Sequence, residues 1–125
     1  MVTFNTENDG LLTVVKDYQE SALKYMWRLE EGVGASSREV WVNVNVDLMG
    51  KRTISRASII NFLNAMVDEE ILKFHEITGK GGHRRIYAPA FDEAGTKVYL
   101  AKRILDKMLE TWPPETRDAI ASLTG

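Results

Sequence analysis

Apolar positions in the first third of the chain recur with a helical period. Val15, Tyr18, Ala22, Met26 and Leu29 are spaced 3, 4, 4 and 3 apart, which gathers them on one face and predicts a helix over roughly Leu11–Glu30. Thr13 is the expected N-cap with Lys16 at the third helical position, and Gly32 and Gly34 are expected to end the helix. The ten residues before it are polar, carry an Asn8-Asp9-Gly10 turn signal, and are expected to form a loose end.

The next segment, Ala35–Gly50, offers two periods at once. Val40, Val42, Val44 and Val46 alternate with Trp41, Asn43 and Asn45, and β-branched residues in alternation favour a strand. Val40, Trp41, Val44 and Leu48 equally fit a helical face. Ser36 or Ser37 ahead of Arg38-Glu39 reads as an N-cap with an acid in the first turn. A short glycine-containing link, Met49–Ile54, leads into a second helix, as in helix-turn-helix units. The segment is therefore expected to be a helix against its local propensity.

That second helix has a well-marked start. Ser55 is the expected N-cap with Ser58 at the third position, and Ile54 can staple onto Ile59. Ile59, Phe62, Leu63, Met66 and Val67 form a buried stripe. Ala57, Ile60, Asn61 and Asn64 occupy the other face with Arg56 in the first turn. Asp68-Glu69-Glu70 closes the helix. Ile71–Ile77 then alternates as a strand, Thr78–Gly82 is a glycine-rich turn, and His83–Tyr87 returns as a second strand stopped near Pro89. A last long helix is expected from Asp92 or Glu93 to Trp112. Along it Val98, Ala101, Leu105, Met108 and Trp112 are spaced 3, 4, 3 and 4, the a/d seam of a helix that pairs with another. Tyr99, Leu100, Ile104 and Leu109 widen its apolar surface. A short terminal helix over Glu115–Ser122 is expected to turn Ala119 and Ile120 inward. The fold class is thus mainly α with a small β-hairpin. Residues 1–90 are expected to form the first domain and residues 91–125 a C-terminal helical segment that dimerises.

Composition changes this picture at a few points. A chain of 125 residues with 44% hydrophobic and 27% charged residues has room for one proper core. The absence of cysteine excludes disulfides, thiolate metal sites and a cysteine nucleophile. No signal-peptide pattern and no membrane-length apolar run are visible, so a cytoplasmic protein is expected. The net charge of −2 conceals an asymmetry: Lys51–Tyr87 holds seven Lys/Arg against four Asp/Glu, a local +3, whereas nine against fourteen elsewhere gives −5. A basic module on an acidic body suits a partner that meets one face.

Catalytic and metal chemistry find little support. Gly79-Lys80-Gly81-Gly82 lies between strands and lacks the Ser/Thr of a phosphate-binding loop. His75 and His83 are the two histidines, without an evident third ligand. No Ser/His/Asp set is apparent. Neither an enzyme, a metal site nor a cofactor is expected.

A recognition helix needs small and polar residues near its start, so that its backbone can enter the major groove. The helix beginning at Ser55 supplies them. Arg56, Ala57, Ser58, Ile60, Asn61 and Asn64 are the expected base-facing positions. Lys51, Arg52, Thr53 and Ser55 are the expected phosphate contacts. Lys80, His83, Arg84 and Arg85 would act from the hairpin, with Arg84 and Arg85 on opposite faces. The expected partner is double-stranded DNA, met by a homodimer paired through Val98, Ala101, Leu105, Met108 and Trp112. The alternative is a protein-interaction module of the same architecture that does not bind DNA.

The runs TISRASIINFL (Thr53–Leu63), VDEEIL (Val67–Leu72) and GKGGHRRIY (Gly79–Tyr87) resemble winged helix-turn-helix transcriptional regulators, most nearly the penicillinase-repressor (BlaI/MecI) type. The resemblance extends over about Leu11–Trp112 and lies in pattern and order more than in any one motif. It implies a three-helix core with a two-stranded wing, a C-terminal dimerisation helix, and repression through a palindromic operator. The chain departs from that pattern at Glu70, where a glycine is common, so the recognition helix is expected to be less sharply capped there.

Overall fold

The computed structural model describes residues 3–79 and 82–124. Met1 and Val2 of the terminal segment, and Lys80 and Gly81 of the hairpin turn, lie outside the described residues. The chain divides into two compact units, Met1–Glu93 and Ala94–Gly125.

The first unit contains helices α1 (Asp17–Arg28), α2 (Ser37–Asp47) and α3 (Arg56–Asp68), and strands β1 (Ala35–Ser36), β2 (Leu72–Gly79) and β3 (Gly82–Pro89). The strands form one antiparallel sheet in the order β1-β3-β2. Three helices in this order with a two-stranded wing make a winged-helix fold. Its core takes Ala22 and Met26 from α1, Val40 and Val44 from α2, Ile59, Phe62, Leu63 and Met66 from α3, and Leu72 and Tyr87 from the hairpin.

Helix α1 starts later than its apolar period suggested. Gly10–Thr13 is a separate 3-10 turn. The N-cap is Lys16 and not Thr13: Gln19 Oε1 accepts from the Lys16 backbone N–H at 2.9 Å, while the Thr13 hydroxyl donates to the Asn8 carbonyl. The segment ahead of it is tied down, with Thr3 N–H donating to the Val14 carbonyl at 2.8 Å and Asn5 N–H to the Thr13 carbonyl at 2.7 Å. At the other end α1 stops at Arg28, ahead of the glycines, because Leu29 is already extended. Gly34 serves the sheet instead. Its φ is +70°, and a Cβ there would lie 2.7 Å from Ile86 Cγ2 and 2.9 Å from the Tyr87 carbonyl oxygen. Only a glycine lets β1 approach β3 so closely.

The valine-rich segment is helical. Ser36 caps α2 with a full capping box: its hydroxyl accepts from the Glu39 N–H, and the Glu39 carboxylate accepts from the Ser36 N–H. Val40, Val44 and Leu48 are buried. The cost of overriding the strand propensity is visible at Val42 and Val46, which stay 42% and 69% exposed.

Helix α3 ends more sharply than its sequence suggested. Glu70 adopts φ +66°. The Ile71 N–H reaches the Met66 carbonyl at 2.9 Å and the Glu70 N–H the Val67 carbonyl at 3.0 Å, the two bonds of a Schellman motif. The chain therefore leaves the helix directly into β2, with glutamate in the place where glycine would be unstrained. The hairpin strands are longer than expected. Thr78 pairs with His83 and Gly79 with Gly82, so three residues assigned to the turn belong to the ladder.

The second unit holds most of α4 (Glu93–Thr111) and all of α5 (Pro113–Thr124). Pro113 opens α5 as its first helical residue, where a missing N–H costs nothing. The Thr116 hydroxyl donates to the Met108 carbonyl at 3.0 Å. Thr116, and not Ala119, is the buried residue of α5; Ala119 is exposed. Along α4 Leu100 is buried, whereas Val98, Leu105 and Trp112 are 70%, 46% and 59% exposed.

Candidate nucleic-acid interface

The outer face of α3 is fixed from three directions. At its start, Ser55 is extended (φ −69°, ψ 153°) and its hydroxyl accepts from the Ser58 N–H at 3.1 Å. The two serine hydroxyls also bond each other at 2.9 Å. This cap satisfies one of the orphaned donors of the first turn. Ile54 and Ile59, the expected staple pair, are both buried.

The turn ahead of α3 is clamped to α2. Asn45 Oδ1 accepts from the Ile54 N–H at 2.8 Å, and Asn45 Nδ2 donates back to the Ile54 carbonyl at 3.2 Å. Trp41 Nε1 donates to the same carbonyl at 2.8 Å. The Asn45 carboxamide thus imitates a strand neighbour for one residue of the turn. Asparagine in a helix interior is a poor helix former, and that was the one sequence signal for this role, which pattern reading missed.

The third attachment is to the wing. Asn64 Oδ1 accepts from Arg85 Nη1 at 3.0 Å and from the Tyr87 hydroxyl at 2.6 Å. The Arg85 guanidinium carbon lies 4.0 Å from the centroid of the Phe74 ring, a cation–π contact. Tyr87 is buried. Burial pushes its hydroxyl pKa above the usual tyrosine value, against a smaller opposing effect of Arg85. Side chains alternate along β3, and Arg85 and Tyr87 share the face turned to α3.

Between these attachments, Arg56, Ala57 and Asn61 are exposed, and Ser58, Ile60 and Asn64 are half-buried. Lys51, Thr53 and Ser55 are exposed at the helix start. Arg52 is exposed too, but its guanidinium pairs with the Asp17 carboxylate and lies 5.8 Å from the Tyr18 ring centroid. On the wing Arg84 is exposed, and His83 Nδ1 shares a 3.2 Å hydrogen bond with the Thr78 hydroxyl. Lys80 is outside the described residues. His75 pairs in register with Ile86 and His83 with Thr78, so the two histidines stand three rungs apart. Among the described residues no group of three or more His, Asp or Glu could hold a metal ion. No helix among them is long and apolar enough to cross a membrane. A groove of about 740 Å³ is lined in part by Trp27, Val33, Lys73, His75, Ile86 and Phe91.

No protein-family model matches the chain. No curated protein matches it either. Solved structures do. The chain is similar to the Aeropyrum pernix ORC1 protein, whose structure was solved in complex with DNA, with a TM-score of 0.57 and 16% identity over 70% of this chain. The match spans 24% of the ORC1 chain, so about a quarter of that protein corresponds to this one. A Thermoplasma acidophilum protein described as a candidate transcriptional regulator aligns at a TM-score of 0.49 and 19% identity, over 75% of this chain and 90% of its own. At this level of identity the ORC1 likeness concerns the fold, and the fold is that of a winged helix.

Proposed function

We propose that the chain is a homodimeric, sequence-specific DNA-binding transcriptional regulator, a cytoplasmic repressor of the penicillinase-repressor kind that recognises a palindromic operator. In this reading residues 1–90 meet the DNA and residues 91–125 pair two copies. The observation that carries it is the outer face of α3. Its buried stripe leaves Arg56, Ala57 and Asn61 exposed, on a helix capped at one end, clamped at its turn and tied to a wing. A backbone carrying short and polar side chains fits a major groove, and Arg and Asn match base edges. The DNA complex known for the ORC1 protein supports the same use of the fold. The exposed row Val98, Leu105 and Trp112 on α4 supports the pairing of two copies, which would present two α3 helices about one DNA turn, ~34 Å, apart.

The test is equilibrium binding to duplex DNA over a range of salt. The logarithm of the association constant should fall with the logarithm of salt concentration by about 0.9 for every phosphate neutralised. Affinity weaker than roughly 10⁻⁴ M for all duplexes at low salt sinks the proposal. A second reading, a winged-helix protein-interaction module, is favoured by the groove beside Trp27 and Phe91. It requires that outcome.

A further inference from the structure

Asn64 lies one helical turn beyond Ile60 and Asn61 on α3 and is half-buried. Its carboxamide oxygen accepts from Arg85 Nη1 at 3.0 Å and from the Tyr87 hydroxyl at 2.6 Å. A carboxamide oxygen has two lone pairs, and both are engaged. Arginine has no acceptor, which settles that the atom facing it is the oxygen and not the nitrogen. The Tyr87 hydroxyl is the donor of its bond to Asn64, and burial moves its pKa up from the usual tyrosine value. Arg85 is steadied from behind by the Phe74 ring. All these partners come from the hairpin, so the oxygen stays committed for as long as helix and wing are packed together. The nitrogen, with two N–H donors, is the end left to meet an outside partner.

We infer that Asn64 meets DNA as a hydrogen-bond donor only and selects guanine over adenine. The familiar two-point contact of asparagine with adenine uses both ends of the carboxamide: the oxygen accepts from adenine N6 while the nitrogen donates to N7. Here the oxygen cannot take part. Guanine presents N7 and O6, two adjacent acceptors, to the same nitrogen. Adenine would set its own N6 donor against the Asn64 donor. This specificity rests on the proposed DNA-reading role and narrows it to a base.

Asn64→Asp separates reading from packing. One carboxylate oxygen can still accept from Arg85 and Tyr87, so the junction between helix and wing is kept. The other end changes from donor to acceptor, which suits the N4 amino group of cytosine. The experiment selects binding sites from a randomised duplex pool with the full chain, then measures Kd on single duplexes. The expected result is a guanine preferred over adenine by about tenfold at one position. In Asn64→Asp that position should turn to cytosine, with a thermal midpoint no lower than the parent's, and in Asn64→Ala it should lose its preference. Adenine preferred there by the parent chain overturns the inference and leaves DNA reading intact. So does an equal loss of affinity for every selected duplex in both variants, since Asn64 would then read no base. No enriched sequence with the parent chain overturns sequence-specific reading itself.

Discussion

Gly34 and Met49 occupy the same left-handed region of backbone space with opposite degrees of comfort. Met49 has φ +52°, close to the end of α2, and its side chain is exposed, so the strain is local. At Gly34 the surroundings leave no alternative, because a methyl group would overlap both the Ile86 side chain and the Tyr87 backbone. Gly34→Ala adds the left-handed penalty of about 1–2 kcal/mol to an overlap of about 1–3 kcal/mol. A loss of roughly 2–5 kcal/mol is expected from those two terms, read as a fall in the denaturation midpoint. A loss of only about 1–2 kcal/mol, the left-handed term alone, would show that β1 can move aside. The sequence marked Gly34 as a helix stop; its steric role depends on a strand more than 50 residues away, which no local pattern reports.

Among the elements, α2 carries two asparagines with opposite duties. Asn43 Nδ2 donates to the Glu39 carbonyl on the exposed side of the helix. Asn45 bonds both backbone groups of Ile54 and so sets where α3 begins. Replacing Asn45 by Ala should destabilise the fold by about 1–2 kcal/mol, because a part-buried N–H loses its partner and better helix propensity returns only about 0.7 kcal/mol. Asn43→Ala should be neutral or stabilising by up to that propensity term. Equal effects in urea titrations of the two variants would refute the clamp. Such distinctions show how far the elements were legible in the sequence. The helix assignment of the valine run followed from the short glycine-containing link into α3, with Ser36 or Ser37 as the expected cap, and the start of α3 from Ser55 and Ser58. The strand Ala35–Ser36 was not legible, since two residues carry no period. Nor was the sharp end of α3, since Glu70 is not the residue that such a turn prefers. For the candidate site, the exposed row Arg56, Ala57 and Asn61 followed from the buried stripe. The engagement of Asn64 by Arg85 and Tyr87 and of Arg52 by Asp17 did not, because each partner comes from a different element.

At the scale of the whole molecule, α4 leaves Val98, Leu105 and Trp112 exposed. Under the proposed pairing these residues fill the seam between two copies, so Leu105→Glu, a charge buried at its centre, should yield a monomer with unchanged helix content. Sedimentation at micromolar concentration checks this, and a variant that still sediments as a dimer rules the seam out. Affinity for a two-half-site duplex should fall along with dimerisation, while affinity for a single half-site should not. A different consequence belongs to Ser36, which is at once the last residue of β1 and the cap of α2. Its strand partner Ile86 stands 50 positions further along the chain, and closing so long a loop is the slow kind of event in folding. The capping box with Glu39 spans three residues and needs no distant partner. Its extended backbone, φ −77° and ψ 163°, is the conformation that the strand also requires. A quickly formed local contact therefore holds one end of the slow pairing ready, and the speed at which the sheet completes is written partly into the first turn of a helix.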